Sequence, residues 1–203
     1  MRQYLSLLAQ GIQVEAQALQ TDLAPWATKD WSSAPEVTSA AMAEWVNQWL
    51  AGVERLRWAH LEKPIKANQT LGNAMKGNPV LFARLGREAN LVAWRAQWQS
   101  LLAQARLTPA QYLSAPEPGQ ALLPIEALLY GKGHIALAQR FAKTLDEVSA
   151  RMDKLTPQAP PRAVDQRALL ALAQSLKAVT VLYQAEVASA LDIPLGFSDA
   201  DGD

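Results

Sequence analysis

Apolar residues recur at helical spacing along most of the chain, and no segment alternates apolar and polar positions as a half-buried strand would. From Met1 to Leu23, Tyr4, Leu8, Ile12 and Leu19 fall near one face with glutamines opposite, which predicts an amphipathic helix ended by Pro25. Trp26 and Trp31 lie in the turn-rich connection that follows. Ser33, with Glu36 three residues on and Pro35 between them, reads as a capping box. It opens the longest helical pattern, which runs to about Glu62 with Met42, Trp45, Trp49, Val53, Leu56 and His60 along one stripe. Lys63-Pro64 is expected to stop this helix, because the residue before a proline is pushed out of the helical region.

Ile65 to Asn78, with Asn68, Gly72, Asn73 and Gly77, has the chemistry of a loop, apart from a short turn at Leu71 to Met75. Pro79 is expected to open a helix to about Arg106, with Phe82, Leu91, Trp94, Trp98 and Leu101 inward and Arg84, Arg87, Glu88 and Arg95 on its surface. Thr108, Pro109 and Gln111 repeat the capping logic and start a short helix through Leu113, broken by Pro116 and Pro118. Ile135 to Leu155 and Ala163 to Leu191 are two further amphipathic helices, the first preceded by a glycine cap at Gly131-Lys132-Gly133. The pattern is all-α: an up-and-down helical bundle of four long helices plus short ones, read as a single domain over 1–203 with a partly irregular tail at 195–203.

Within this pattern, Leu122 to Gly131 is apolar on nearly every side and yet carries Glu126. A carboxylate on such a face needs a partner, since an unpaired buried charge costs several kcal/mol or takes up a proton. Two readings follow: a packing ion pair to Arg84, Arg87 or Arg95 of the preceding long helix, or a contact to a metal or ligand. His60 in the last turn of its helix reads as a dipole partner or a ligand, and His134 as a neutral side chain at a helix start. Asp199, Asp201 and Asp203 invite a calcium reading but lack the EF-hand spacing, so a solvated acidic tail is the plainer assignment.

Composition narrows the classes. In 203 residues, 50% are hydrophobic and 19% charged, as in a soluble globular chain, and nineteen basic residues balance nineteen acidic ones. There is no basic cluster with interleaved aromatics, so nucleic acid is not the expected partner. The chain has no cysteine, which removes thiolate catalysis, disulfides and cysteine-ligated zinc. Gln3, Gln10, Gln13 and Glu15 interrupt the first apolar run, so it lacks the core of an export signal, and no uninterrupted apolar run reaches membrane-spanning length.

Several segments, taken in order, resemble the imelysin-like family of bacterial cell-envelope proteins. Ile193-Pro194-Leu195-Gly196-Phe197 followed by Asp201-Gly202-Asp203 is similar to the family's C-terminal signature. Arg84-Leu85-Gly86-Arg87 resembles its Arg-x-Gly-Arg helix start, and Leu122 to Gly131 its central G-L-x-x-L-E-x-L-L-F/Y-G segment. Leu56-Arg57-Trp58 through Lys63-Pro64 resembles the segment before the Arg-rich helix, so the likeness spans Ala34 to Asp203 and matches the second half of a duplicated domain. It implies a periplasmic or outer-membrane-associated protein, often a lipoprotein, linked to iron uptake and classed as a metallopeptidase. It also implies a G-x-H-x-x-E metal motif. Aligned on Glu126, that motif's histidine position holds Leu123 and its glycine position Ala121.

The expectation is a non-catalytic binding module holding a small ligand or metal-bearing partner in a cleft near Glu126, lined by Arg84, Arg87 and His60. Iron or another divalent metal is the cofactor the resemblance implies, with Glu126 the surviving ligand position. The alternatives are a metallopeptidase and a structural half-domain acting as a homodimer.

Overall fold

Every regular element among the described residues is helical, as the apolar spacing requires. The structure, a computed structural model, describes residues 2–30, 33–72, 82–84, 87–113, 123–155 and 163–195. The elements are α1 (Arg2–Ala27), α2 (Pro35–Arg55), a π-wound segment (Leu56–Glu62), α3 (Lys63–Gly72), α4 (Arg87–Ala105), α5 (Pro109–Leu113), α6 (Ile125–Gly131), α7 (Ile135–Asp153), α8 (Ala163–Leu182), a second π segment (Tyr183–Val187) and α9 (Ala188–Ala190). By contacts along its length, the chain divides into two compact units, Met1–Ala41 with Pro116–Ala121, and Met42–Ala115 with Leu122–Asp203.

In the first unit, α1 continues through Pro25 and ends two residues later, instead of stopping before the proline. The Thr28 hydroxyl donates to the Pro25 carbonyl (3.3 Å), supplying a partner that the missing next turn cannot. Ser33 does not cap α2. Its hydroxyl donates back to the Asp30 carbonyl (2.8 Å), and Ala34 stands before Pro35, its carbonyl accepting the Thr38 N–H (3.0 Å). Pro35 keeps the first helical position, where its fixed φ helps and its missing N–H costs nothing.

In the second unit, the expected stop at Lys63-Pro64 does not occur. The turn before the proline is π-wound: the Lys63 N–H bonds the carbonyl of Trp58, five residues back. The ladder has slipped by one residue where the proline has no N–H to give, so the chain stays helical into α3. Arg57 pins this segment, donating to Glu54 (Nε, 2.9 Å) and Glu62 (Nη1, 2.9 Å), while Lys66 lies 4.6 Å from the centre of the Trp58 ring. Residues 65–72 are therefore helical and Ile65 is buried, against the loop expected there; 73–78 lie outside the described residues. Pro79 lies outside the described residues, but residues 82–84 are not helical and α4 runs from Arg87; Asn90 turns back on the preceding segment, its amide donating to the Arg84 carbonyl (2.7 Å) and its oxygen accepting the Arg84 N–H (3.1 Å).

Four long helices, α2, α4, α7 and α8, close one apolar core, so the all-α helical bundle holds. Trp49 is at its centre, with the Phe141 and Tyr183 rings each 5.8 Å away. Three indole N–H groups turned towards the core have acceptors: Trp45 on Gln104 (3.0 Å), Trp49 on the Leu101 carbonyl (2.9 Å) and Trp98 on Ser149 (2.9 Å). Gly52 permits the close approach of α2 to α4, since a Cβ there would come within 2.8 Å of a Leu101 methyl. By length and composition Gln166–Ala190 passes for a membrane-crossing helix, but its Leu172, Leu176, Val179 and Tyr183 are buried in this core.

Candidate functional site

Glu126 sits in the first turn of α6, where a negative charge complements the helix dipole. Pro124 precedes the helix in extended conformation, which sets the turn so that Ile125, Glu126 and Leu129 all face inward with no exposed surface. The partner of the buried carboxylate is Arg106, just past the end of α4, and not Arg84 or Arg95. Arg106 Nη1 donates to both oxygens (3.0 and 2.7 Å), the Leu107 backbone N–H donates to Oε2 (2.8 Å) and the Tyr112 hydroxyl donates to Oε1. A carboxylate offers about four acceptor sites, so these bonds use all of them.

Arg106 is shared. Its other edge grips Asp146 of α7 in a bidentate pair, Nε to Oδ1 at 3.2 Å and Nη2 to Oδ2 at 3.1 Å, and Nη1 also donates to the Tyr112 hydroxyl oxygen. One guanidinium therefore joins the end of α4 to α5, α6 and α7. Tyr112 is delivered by the capping box the sequence predicts: the Thr108 N–H bonds Gln111 Oε1 (2.8 Å) and the Gln111 N–H bonds Thr108 Oγ1 (3.4 Å). Burial, followed by its bond to Glu126, pushes the Tyr112 hydroxyl up to about 12. The Asp146 bond above all, then Glu126 and Tyr112, hold Arg106 charged against the opposing effect of burial.

The opposite end of α6 opens onto a groove of about 810 Å³ lined by Lys132, His134, Arg140, Glu186, Ser189 and Asp192 among others. Its floor is two matched helix ends. Gly133, at φ +81, lets α6 close with the His134 N–H on the Leu129 carbonyl and the Gly133 N–H on Tyr130. Asp192, at φ 56, closes α9 in the same way, with the Ile193 N–H on Ala188 and the Asp192 N–H on Ser189. Lys132 pairs with Asp192 across the groove, and Arg140 of α7 pairs with Glu186 of the second π segment. The Lys132 hydrogen bond and charge hold the Asp192 carboxyl below its ordinary value, with His134 adding to the effect.

The described residues of the expected site, Arg84 and His60, are therefore not brought to Glu126. Arg84 is exposed, its backbone held by Asn90. Arg87 supplies the first residue of α4, and its side chain is outside the described residues. Arg95 donates to the Leu155 carbonyl (2.7 Å). His60 is half-buried in the first π segment, where burial and then the charges of Arg84 and Arg55 hold it below its ordinary pKa. Among the described residues no group of three His, Cys, Asp or Glu is placed to hold a metal ion, so the implied Glu126 metal position gains no co-ligands there. Asp199, Asp201 and Asp203 lie outside the described residues. Arg106, Tyr112 and Asp146 are the residues that sequence reasoning missed; the signal was the arginine standing immediately before a capped short helix that carries a tyrosine.

No protein-family profile, curated protein or solved structure matches the chain.

The buried Tyr183 hydroxyl behaves differently from that of the exposed Tyr112. Tyr183 has no exposed surface, its hydroxyl has no hydrogen-bond partner among the described residues, and burial pushes it up to about 12. Tyr183→Phe removes an unsatisfied polar atom and is expected to stabilise the protein by about 1 kcal/mol, roughly 2–4 °C in Tm. The sign with pH follows from the raised values. Folding favours the neutral phenols, so their contribution is complete below about pH 10 and is lost as pH rises towards 12. Urea melts at pH 8, 10 and 11.5 are expected to show a smaller alkaline loss in Tyr183→Phe than in wild type. An equal loss, or destabilisation at pH 8, would refute the assignment.

Proposed function

We propose that this chain is a non-catalytic binding module of the imelysin type, acting in the bacterial cell envelope in connection with iron or metal uptake. The observation that carries this reading is the saturation of the Glu126 carboxylate by Arg106, Tyr112 and the Leu107 N–H. The one residue retained from the resembled metal motif is committed to holding helices together. A metal there would have to displace a charged bond from a buried group, which costs several kcal/mol. The small ligand or metal-bearing partner is then held at the other end of α6, in the groove between Lys132 and Arg140, whose exposed ion pairs can exchange partners at little cost.

The test uses metal-free protein titrated by calorimetry with iron(II), zinc and ferric citrate, an anionic iron chelate. A structural Glu126 predicts the same free-metal isotherms for wild type and Glu126→Gln, and ferric citrate binding that weakens at least about tenfold in Arg140→Glu. Free-metal binding that disappears in Glu126→Gln would overturn the reading and favour the metallopeptidase alternative. Cleavage of an unfolded protein substrate with added zinc or iron would do the same.

A further inference from the structure

With the groove beyond α6 taken as the ligand site proposed above, its walls define the ligand more closely. One wall is basic, with Lys132 and Arg140, and the facing wall is acidic, with Glu186 and Asp192. Each cation already holds a carboxylate. Lys132 Nζ bonds Asp192 Oδ2, and the Arg140 fork grips Glu186 with both terminal nitrogens, Nη1 at 3.1 Å from Oε1. The two pairs therefore display where carboxylates sit in the groove and how they are held.

The helical run that carries the acids sets these two positions apart. Asp192 follows Glu186 by six residues, which at about 1.5 Å per residue is about 9 Å along the axis. The groove-lining side chains between the pairs in chain order are mostly apolar: Ile135, 56% exposed, with Ala136 and Leu137 on the basic wall, and Ala190 beside Ser189 on the acidic one. At about 810 Å³ the groove is of small-molecule size, within the ordinary range of about 300–1,000 Å³. We infer that its ligand is an elongated dianion, two carboxylates about 9 Å apart joined by an apolar middle, which displaces Asp192 from Lys132 and Glu186 from Arg140.

The acids are the partners that give way. Asp192 has 84% of its side chain exposed against 41% for Lys132, so it swings into water while the ammonium stays at the wall. His134, on the same rim, adds a third basic group, so with its acids turned out the groove presents only basic groups. Exposed ion pairs contribute little, so exchanging one carboxylate for another costs little, and the gain comes from the apolar middle covering Ile135.

Calorimetry of the intact chain with α,ω-dicarboxylates reads the spacing, since each carbon–carbon bond lengthens an extended chain by about 1.3 Å. Affinity is expected to rise at least about tenfold from succinate through adipate to suberate and azelate, with octanoate, which has one carboxylate, at least about tenfold weaker than suberate. Arg140→Gln and Lys132→Gln should each bring suberate to the level of octanoate. Glu186→Gln combined with Asp192→Asn removes the internal competitors and should tighten suberate at least about threefold. Affinity indifferent to chain length, suberate weakened by loss of the two acids, or tighter binding of 1,8-diaminooctane would overturn the inference. Ferric citrate titrated in parallel separates it from the reading it rests on. Ferric citrate binding that needs Arg140, with no binding of suberate, overturns the dianion alone. Suberate binding without ferric citrate binding overturns only the metal-linked reading, and no binding of either overturns both.

Discussion

Arg106→Met is expected to lower the free energy of unfolding by about 3–5 kcal/mol, the cost of leaving a buried charge without its partner. The size follows from what remains behind. Glu126 has no exposed surface, and without the guanidinium it retains only the Tyr112 hydroxyl and the Leu107 N–H. Asp146 is exposed and loses only a solvated pair, so it contributes little to the loss. Methionine fills much of the volume of the arginine stem, which keeps a packing defect from being mistaken for the electrostatic one. Urea unfolding followed by tryptophan fluorescence measures this, and a loss below about 1 kcal/mol would show that water or rearrangement satisfies the carboxylate instead.

Trp49→Ala is expected to cost a similar about 3–5 kcal/mol by a different route, the cavity left by a large core side chain. Trp49 is 2% exposed, and its ring is the shared neighbour of Phe141 from α7 and Tyr183 from the second π segment. Its indole N–H also satisfies the Leu101 carbonyl on α4. One side chain of α2 thus touches the other three long helical runs of the bundle. Trp49→Phe separates the two contributions, since it keeps a ring but drops the hydrogen bond. It should cost about 1–2 kcal/mol, and a loss equal to that of alanine would mean that the bond, and not the ring, holds the helices.

What could be read from the sequence was local. The apolar stripe Ile135, Ala138, Phe141, Ala142, Leu145, Val148 and Met152 encodes α7 because all of its information lies within a few turns. Gly133 and the Thr108–Gln111 box were legible for the same reason: a positive φ and a reciprocal cap are made by neighbours in the chain. Ser33 misled because its hydroxyl had a competing acceptor, the Asp30 carbonyl, three residues back. Lys63-Pro64 misled because the stop rule assumes α winding, and the π turn at Leu56–Glu62 removes the conflict the rule describes.

The candidate site was legible only in half. A carboxylate within Leu122 to Gly131 announces that a counter-charge exists, and the residue pattern supports that much. It does not say which arginine. Arg84, Arg87 and Arg95 were plausible by face, but selection depends on where the chain turns after α4, and Arg106 is carried to Glu126 by that turn. Asp146, on α7, is added by packing between helices remote in sequence, which no local pattern records.

A double-mutant cycle between Arg106 and Glu126, built from Arg106→Met, Glu126→Leu and the pair, tests most directly whether the retained carboxylate is a structural element. If Glu126 exists to be held by Arg106, Arg106→Met loses about 3–5 kcal/mol, Glu126→Leu loses less because Arg106 keeps Asp146, and the pair recovers most of the Arg106→Met loss, leaving a coupling energy above about 2 kcal/mol. Losses that simply add, within about 0.5 kcal/mol, would mean that Glu126 answers to something other than Arg106 and would return it to the list of ligand-binding groups.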